Sequence, residues 1–124
     1  MNDKVKNIRF NYKLWIETQD GKNILGDGKW QLLRDIEETG SLKYAMEKNG
    51  WTYRKTWDNL KKIEDNLGFP IIQTTRGGCD GGCTSLTDEG KRIVEIFNKF
   101  HEEYDRLFRE MSNRICDELL DDDE

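Results

Sequence analysis

The residues with the widest chemical reach lie in one short stretch, RGGCDGGCTSLT at positions 76–87, where Cys79 and Cys83 stand in Cys-x3-Cys spacing among Gly77, Gly78, Gly81 and Gly82. Two thiolates at that spacing can close a disulfide or give two soft ligands to zinc, but a zinc site needs three or four protein ligands. The rest of the chain offers only Cys116 and His101, both far along the sequence. One chain therefore supplies an incomplete set, and no metal is expected unless two chains pool their cysteines. Three readings of the pair stay open: a reversible disulfide, a bridging metal, or small residues in a tight turn. The glycines allow positive φ and a close approach of backbone to another surface. A phosphate loop would end in Gly-Lys-Ser/Thr before a helix, and that order is absent. With one histidine, scattered acids and no nucleophile paired to a base, neither an enzyme nor a resident cofactor is expected.

A second constellation is cationic. In TYRKTWDNLKKIEDNLG, Tyr53, Trp57, Leu60, Ile63 and Leu67 recur at helical spacing, and Thr52 and Gly68 bound the run as caps. At about 100° per residue, Lys55, Asp58 and Lys62 project opposite that stripe, with Arg54, Asn59 and Lys61 beside them. Arginine and lysine reach phosphates or guanine acceptors, and asparagine can pair with an adenine edge. Asp58 would repel DNA unless it orients the neighbouring cations. The plain alternative is a solvated mixed-charge face.

The elements that must carry these groups follow from periodicity and punctuation. Ile8, Phe10, Tyr12, Leu14 and Ile16 alternate with polar residues as a half-buried strand would, Asp20-Gly21 signals a hairpin, and NIL offers a short return. Trp30, Leu33 and Ile36 begin a helix that Gly40 stops, and Ser41 caps a two-turn helix closed by Asn49-Gly50. After the cationic helix, FPIIQTTR and TSL read as the strands of a hairpin with the glycine and cysteine stretch at its tip. Thr87 then caps a helix with no breaker before Leu120, about 50 Å long. Ile93, Phe97, Phe100, Tyr104, Leu107 and Met111 run along it in steps of four and three, a seam that calls for a partner helix.

The totals set bounds. At 124 residues the chain suits one domain with a projecting element, 1–87 forming the body and 88–124 the long helix with its tail. The net charge of −5 comes from the closing DELLDDDE, whose removal leaves 20 bases against 19 acids. That end is either a solvated tail or a repellent for nonspecific DNA. With no apolar run of about 18 residues and no leader-like start, a cytoplasmic location and no membrane partner are expected.

Two short helices, a longer basic one and a hairpin compose a winged helix-turn-helix plan. The run from Leu32 to Val94, with GSL before the second helix, TYRKTWD opening the third, paired glycines in the hairpin and LT followed by Gly90, resembles the DNA-binding domain of the ModE-type molybdate-responsive transcription regulators, and more distantly the LysR-type helix-turn-helix. The expected fold is accordingly mainly α with a small β component: a winged helix-turn-helix, an N-terminal β-ribbon and a long C-terminal dimerisation helix. The resemblance implies a homodimer on double-stranded DNA, contacting it through Ser41, Thr52, Arg54, Lys55, Asn59 and Lys62, with Arg76, Gly77 and Gly78 on the backbone and Phe97, Phe100, Tyr104, Leu107 and Met111 in the dimer seam. Cys79 and Asp80 stand where the family carries basic or glycine residues, and the chain ends before a molybdate-binding domain could form, so oxyanion sensing is not carried over. The other class of function, a protein-interaction module or a thiol- or metal-responsive adaptor built on Cys79 and Cys83, stays open.

Overall fold

The computed structural model describes residues 7–75 and 83–120. In chain order its elements are β1 (Ile16–Glu17), β2 (Asn23–Leu25), α1 (Asp27–Thr39), α2 (Leu42–Asn49), α3 (Tyr53–Leu67), β3 (Ile72–Thr75), β4 (Cys83–Leu86) and α4 (Asp88–Leu120). The protein is mainly helical, with two small antiparallel sheets and a long C-terminal helix. Each of the first three helices ends on a glycine in the left-handed region, Gly40 and Gly50 at φ 70° and Gly68 at φ 86°, whose N–H closes the last turn. The N-termini of α2 and α3 are capped as their sequences predict: Ser41 Oγ accepts from Tyr44 N at 3.0 Å and Thr52 Oγ1 from Lys55 N at 3.1 Å.

The chain divides into two compact units. Residues 14–97 form the first, around a core of Leu25, Leu32, Leu33, Ile36, Leu60, Ile63, Ile71, Leu86 and Phe97, each at most 2% exposed. β3 and β4 pair from Ile72 with Leu86 to Thr75 with Cys83. Glu64 Oε2 accepts from Ile71 N at 2.8 Å and Ile72 N at 3.3 Å, fixing the hairpin to the end of α3. Thr87 ties the start of α4 to the same strand: its N–H donates to Ile71 O at 2.9 Å, its hydroxyl donates to Pro70 O at 2.9 Å and accepts from Gly90 N at 3.0 Å. Only glycine fits at position 90, because a Cβ there would stand 2.5 Å from Ile71 O.

The second unit comprises, among the described residues, 7–13 and 98–120. Here the expected strand from Ile8 to Ile16 is corrected, since only Ile16 and Glu17 pair, with Leu25 and Asn23. NIL is three residues long, too short to serve as a partner strand for residues 8–15. Burial still alternates, Tyr12, Leu14 and Ile16 being half-buried between exposed Asn11, Lys13 and Trp15. Tyr12 rests on the distal half of α4, its ring 4.6 Å from that of Phe108 and its hydroxyl donating to Asp105. His101 Nδ1 lies 3.3 Å from the other oxygen of Asp105. The Tyr12 hydrogen bond, with His101 adding to it, holds the Asp105 carboxyl below its usual range.

One polar group enters the first core. Asp35, 1% exposed, receives Lys48 Nζ and Asn49 Nδ2 at 2.9 Å each and Gln31 Nε2 at 3.3 Å. Burial alone would raise this carboxyl, but the hydrogen bonds from Lys48, Asn49 and Gln31 prevail and hold it below the usual aspartate value. Lys48 is raised in turn by its bond to Asp35. A depressed folded-state carboxyl stabilises above its unfolded pKa of about 4 and loses that contribution as pH falls through the lower folded value. Asp35→Asn should therefore cost about 2 kcal/mol at pH 7, the gap from wild type closing as acid protonates Asp35. Urea unfolding of both proteins from pH 7 down to about 2.5 reads this directly.

Candidate functional site

The candidate surface is built on α3. Its core-facing stripe is Thr56, Leu60 and Ile63, not the stripe through Tyr53 and Trp57 that residue type suggests. Thr56 can be buried completely because its hydroxyl donates to Thr52 O at 2.8 Å, which removes the cost of a hidden polar group. This rotates the helix. Tyr53 and Trp57 come out to 66% and 36% exposure, and the fully outward face is Arg54, Asp58, Lys61, Lys62 and Asp65.

Of the residues expected to reach a ligand, Arg54 is the freest, its side chain 90% exposed and its Nε 4.0 Å from Asp58. That ion pair is too exposed to stabilise much, but it sets Asp58 against Arg54 as its type and spacing predict. Lys55 lies over the Trp51 ring, its ammonium 4.7 Å from the centroid. Asn59 turns its carboxamide back onto the helix, donating to Lys55 O at 2.8 Å. The hydroxyls of Ser41 and Thr52 are occupied as helix caps, so they fix the helix starts. Lys62 stands toward Lys29 of α1, whose ammonium is pushed below the usual lysine value first by burial and then by the charge of Lys62. Lys61 projects outward as its place on the helix predicts, and Lys29 joins the basic surface without having been singled out from sequence. Lys29 carries no local signal, because its approach to α3 depends on how α1 packs.

Beside α3 lies the hairpin. Trp57, Asp58 and Lys61 form one wall of a groove whose other wall includes Ile72 and Thr74. Arg76, Gly77, Gly78 and Cys79 lie outside the described residues. Cys83 is disulfide-bonded, to a partner outside the described residues, and Cys116 is a free, half-buried thiol. Among the described residues no cluster of three or more His, Cys, Asp or Glu side chains is placed to hold a metal ion, and no helix is long and apolar enough to cross a membrane.

The seam along α4 divides. Phe97 is 1% exposed, its ring 5.2 Å from that of Trp30, so it is a core residue, which corrects its expected place in a dimer seam. The first turns of α4 are spent on the domain's own core. Phe100, Tyr104, Leu107 and Met111 stay on the surface at 44–50% exposure, joined by Ile96 and Ile115, with the Phe100 and Tyr104 rings stacked 6.0 Å apart.

These groups make a charged and aromatic surface on α3 and an exposed apolar strip on α4. No protein-family model matches the chain. It is 31% identical over 107 residues, 86% of its length, to the molybdenum transport protein ModE of Azotobacter vinelandii, covering 39% of that protein. Over 92 residues, 74% of the chain, it is 25% identical to the DNA-binding transcriptional dual regulator ModE of Escherichia coli K12, covering 32% of it. Over 78 residues, 63% of the chain, it is 26% identical to the transcriptional regulator ModE of Haemophilus influenzae, covering 31%. The chain is thus related to the ModE proteins, and it spans about a third of the length of those it matches.

The two ammonium groups give a measurable signature. By NMR, Lys29 should titrate below the usual lysine value, and Lys62→Met should move it part of the way up, because burial, the larger cause, persists.

Proposed function

We propose that the chain is a dimeric DNA-binding transcription regulator of the winged helix-turn-helix class, serving genes of molybdenum metabolism. The observation that carries this reading is the short α2, the left-handed Gly50 turn and the capped α3 with Arg54, Lys61 and Lys62 outward, next to a hairpin anchored at its C-terminal end. In such an arrangement the third helix enters the major groove with its N-terminal half and the hairpin follows the sugar-phosphate backbone. Two of the relatives are named as transcription regulators and one of those as DNA-binding, which supports the same reading. In this reading Arg54, Lys61 and Lys62 meet bases or phosphates, with Lys55 and Asn59 at the flank of the contact. Arg76, Gly77 and Gly78 run along the backbone.

The dimer would form through the outward face of α4. Six large apolar side chains from Ile96 to Ile115, each close to half exposed, make a continuous strip of the kind that two-fold partners bury. Two recognition helices would then address half-sites about one DNA turn apart. A second reading, a thiol-responsive adaptor, draws on the disulfide at Cys83. It predicts binding to a protein and no preference among duplexes.

Selection from random duplexes, run reduced and oxidised, separates these readings. With about six phosphates neutralised per dimer, log affinity should fall against log salt with a slope of about −5, and Arg54→Ala or Lys62→Ala should each lower its magnitude by about two. Unchanged affinity and slope in both variants, or no duplex recovered, would refute the reading. Sedimentation should give a dimer for the wild type at micromolar concentration, and Phe100→Glu with Leu107→Glu should give a folded monomer. A monomeric wild type removes the two-fold arrangement.

A further inference from the structure

Tyr53 and Trp57 are the exposed large apolar side chains of α3, and neither belongs to the buried core. They stand one turn apart with ring centroids 6.2 Å apart, edge to face. Arg54 and Lys61 lie near Trp57 on the helix, and Trp57 faces the groove that it shares with Asp58, Lys61, Glu64 and Asp65 of α3 and with Ile72 and Thr74 of β3. Trp57 is therefore on the hairpin side of the helix, and the two rings lie in its N-terminal half with Arg54 and Lys61 close by. Tyr53 leaves two thirds of its surface to water and Trp57 about a third, so both keep apolar area that a ligand could cover. A surface that is both cationic and aromatic suits a ligand with anionic oxygens and an exposed apolar group between them.

Resting on the DNA reading above, we propose that Tyr53 and Trp57 are specificity-determining residues that pack against thymine 5-methyl groups in the major groove. The methyl is the one apolar feature a base pair presents there, and it marks thymine uniquely. Arg54 and Lys61, nearby on the helix, hold it by charge, whereas the rings sense the methyl by exclusion of water. The edge-to-face pair limits the rotamers of both rings, so little freedom is lost on contact.

The test uses the full chain and a duplex it selects, with each thymine replaced singly by deoxyuridine, which removes the methyl and leaves base pairing intact. The wild type should lose about fourfold in affinity at one or two thymines per half-site. Trp57→Ala and Tyr53→Ala should bind the thymine and uracil duplexes alike at those positions, and Trp57→Phe, which keeps an aromatic surface, should retain most of the discrimination. A wild type indifferent to uracil throughout, or alanine variants that discriminate as it does, overturns the proposal and leaves DNA binding standing. Recovery of no duplex overturns both. If Trp57→Ala does not fold, Tyr53→Ala, which removes a ring outside the core, decides.

Discussion

The arrangement of the cationic surface depends on one buried carboxylate. Asp35 is placed among Leu32, Leu33 and Ile36, where an unpaired charge could not remain ionised, and among the described residues the donors that reach it from outside its own helix are Lys48 and Asn49 at the end of α2. The pairing therefore fixes the C-terminus of α2 against α1. Gly50 turns the chain immediately afterward, and Trp51 and Thr52 lead into α3, so the direction of the exposed helix is inherited from the Asp35 contact. An apolar residue at 35 could fill the space, but it would leave the end of α2 free to slide along α1.

A second constraint operates at the other end of α3. Glu64, on the helix, binds the two N–H groups that open β3, and Gly90, on α4, lies against the carbonyl between them. The hairpin is thus held from both sides at Ile71, with Thr87 completing the junction through Pro70 and Ile71. The LT-then-glycine pattern legible in the sequence has this physical content: a cap that also bonds a neighbouring strand, and a helix position with no room for a side chain.

Helix boundaries were legible because local chemistry determines them. Ser41, Thr52 and Thr87 accept the N–H groups expected of caps, and Gly40, Gly50 and Gly68 adopt the left-handed conformation that ends a helix. Rotation of a helix about its axis was less legible. Reading Tyr53 and Trp57 as core and Thr56 as surface follows residue type, yet a threonine that satisfies its hydroxyl within the helix can be hidden, and two aromatics can be left out when a shorter stripe suffices. Pairing at a distance was least legible. Alternation from Ile8 to Ile16 reported which side chains face inward, but it could not report that β2 is too short to partner them, and the N-terminal residues meet α4 through Tyr12 instead. Phe97 shows the same limit, since a heptad seam does not say where one partner ends and another begins.

The acidic total and the basic surface are compatible because the charges are segregated. Near α3, Asp58 is set against Arg54 and Glu64 is consumed by the hairpin backbone, so neither acid acts as a free negative charge at full strength. Asp65 is the acid on that face with its carboxylate left to solvent, whereas Lys61 and Lys62 project beside it and Lys29 adds a third ammonium from α1. At an ionic strength of about 0.15 M, charges more than about 8 Å apart are largely screened. The sign of that surface is therefore set by the groups within a turn or two of it. Net charge describes this chain's solubility, and the spacing of Arg54, Lys61 and Lys62 describes what it can hold.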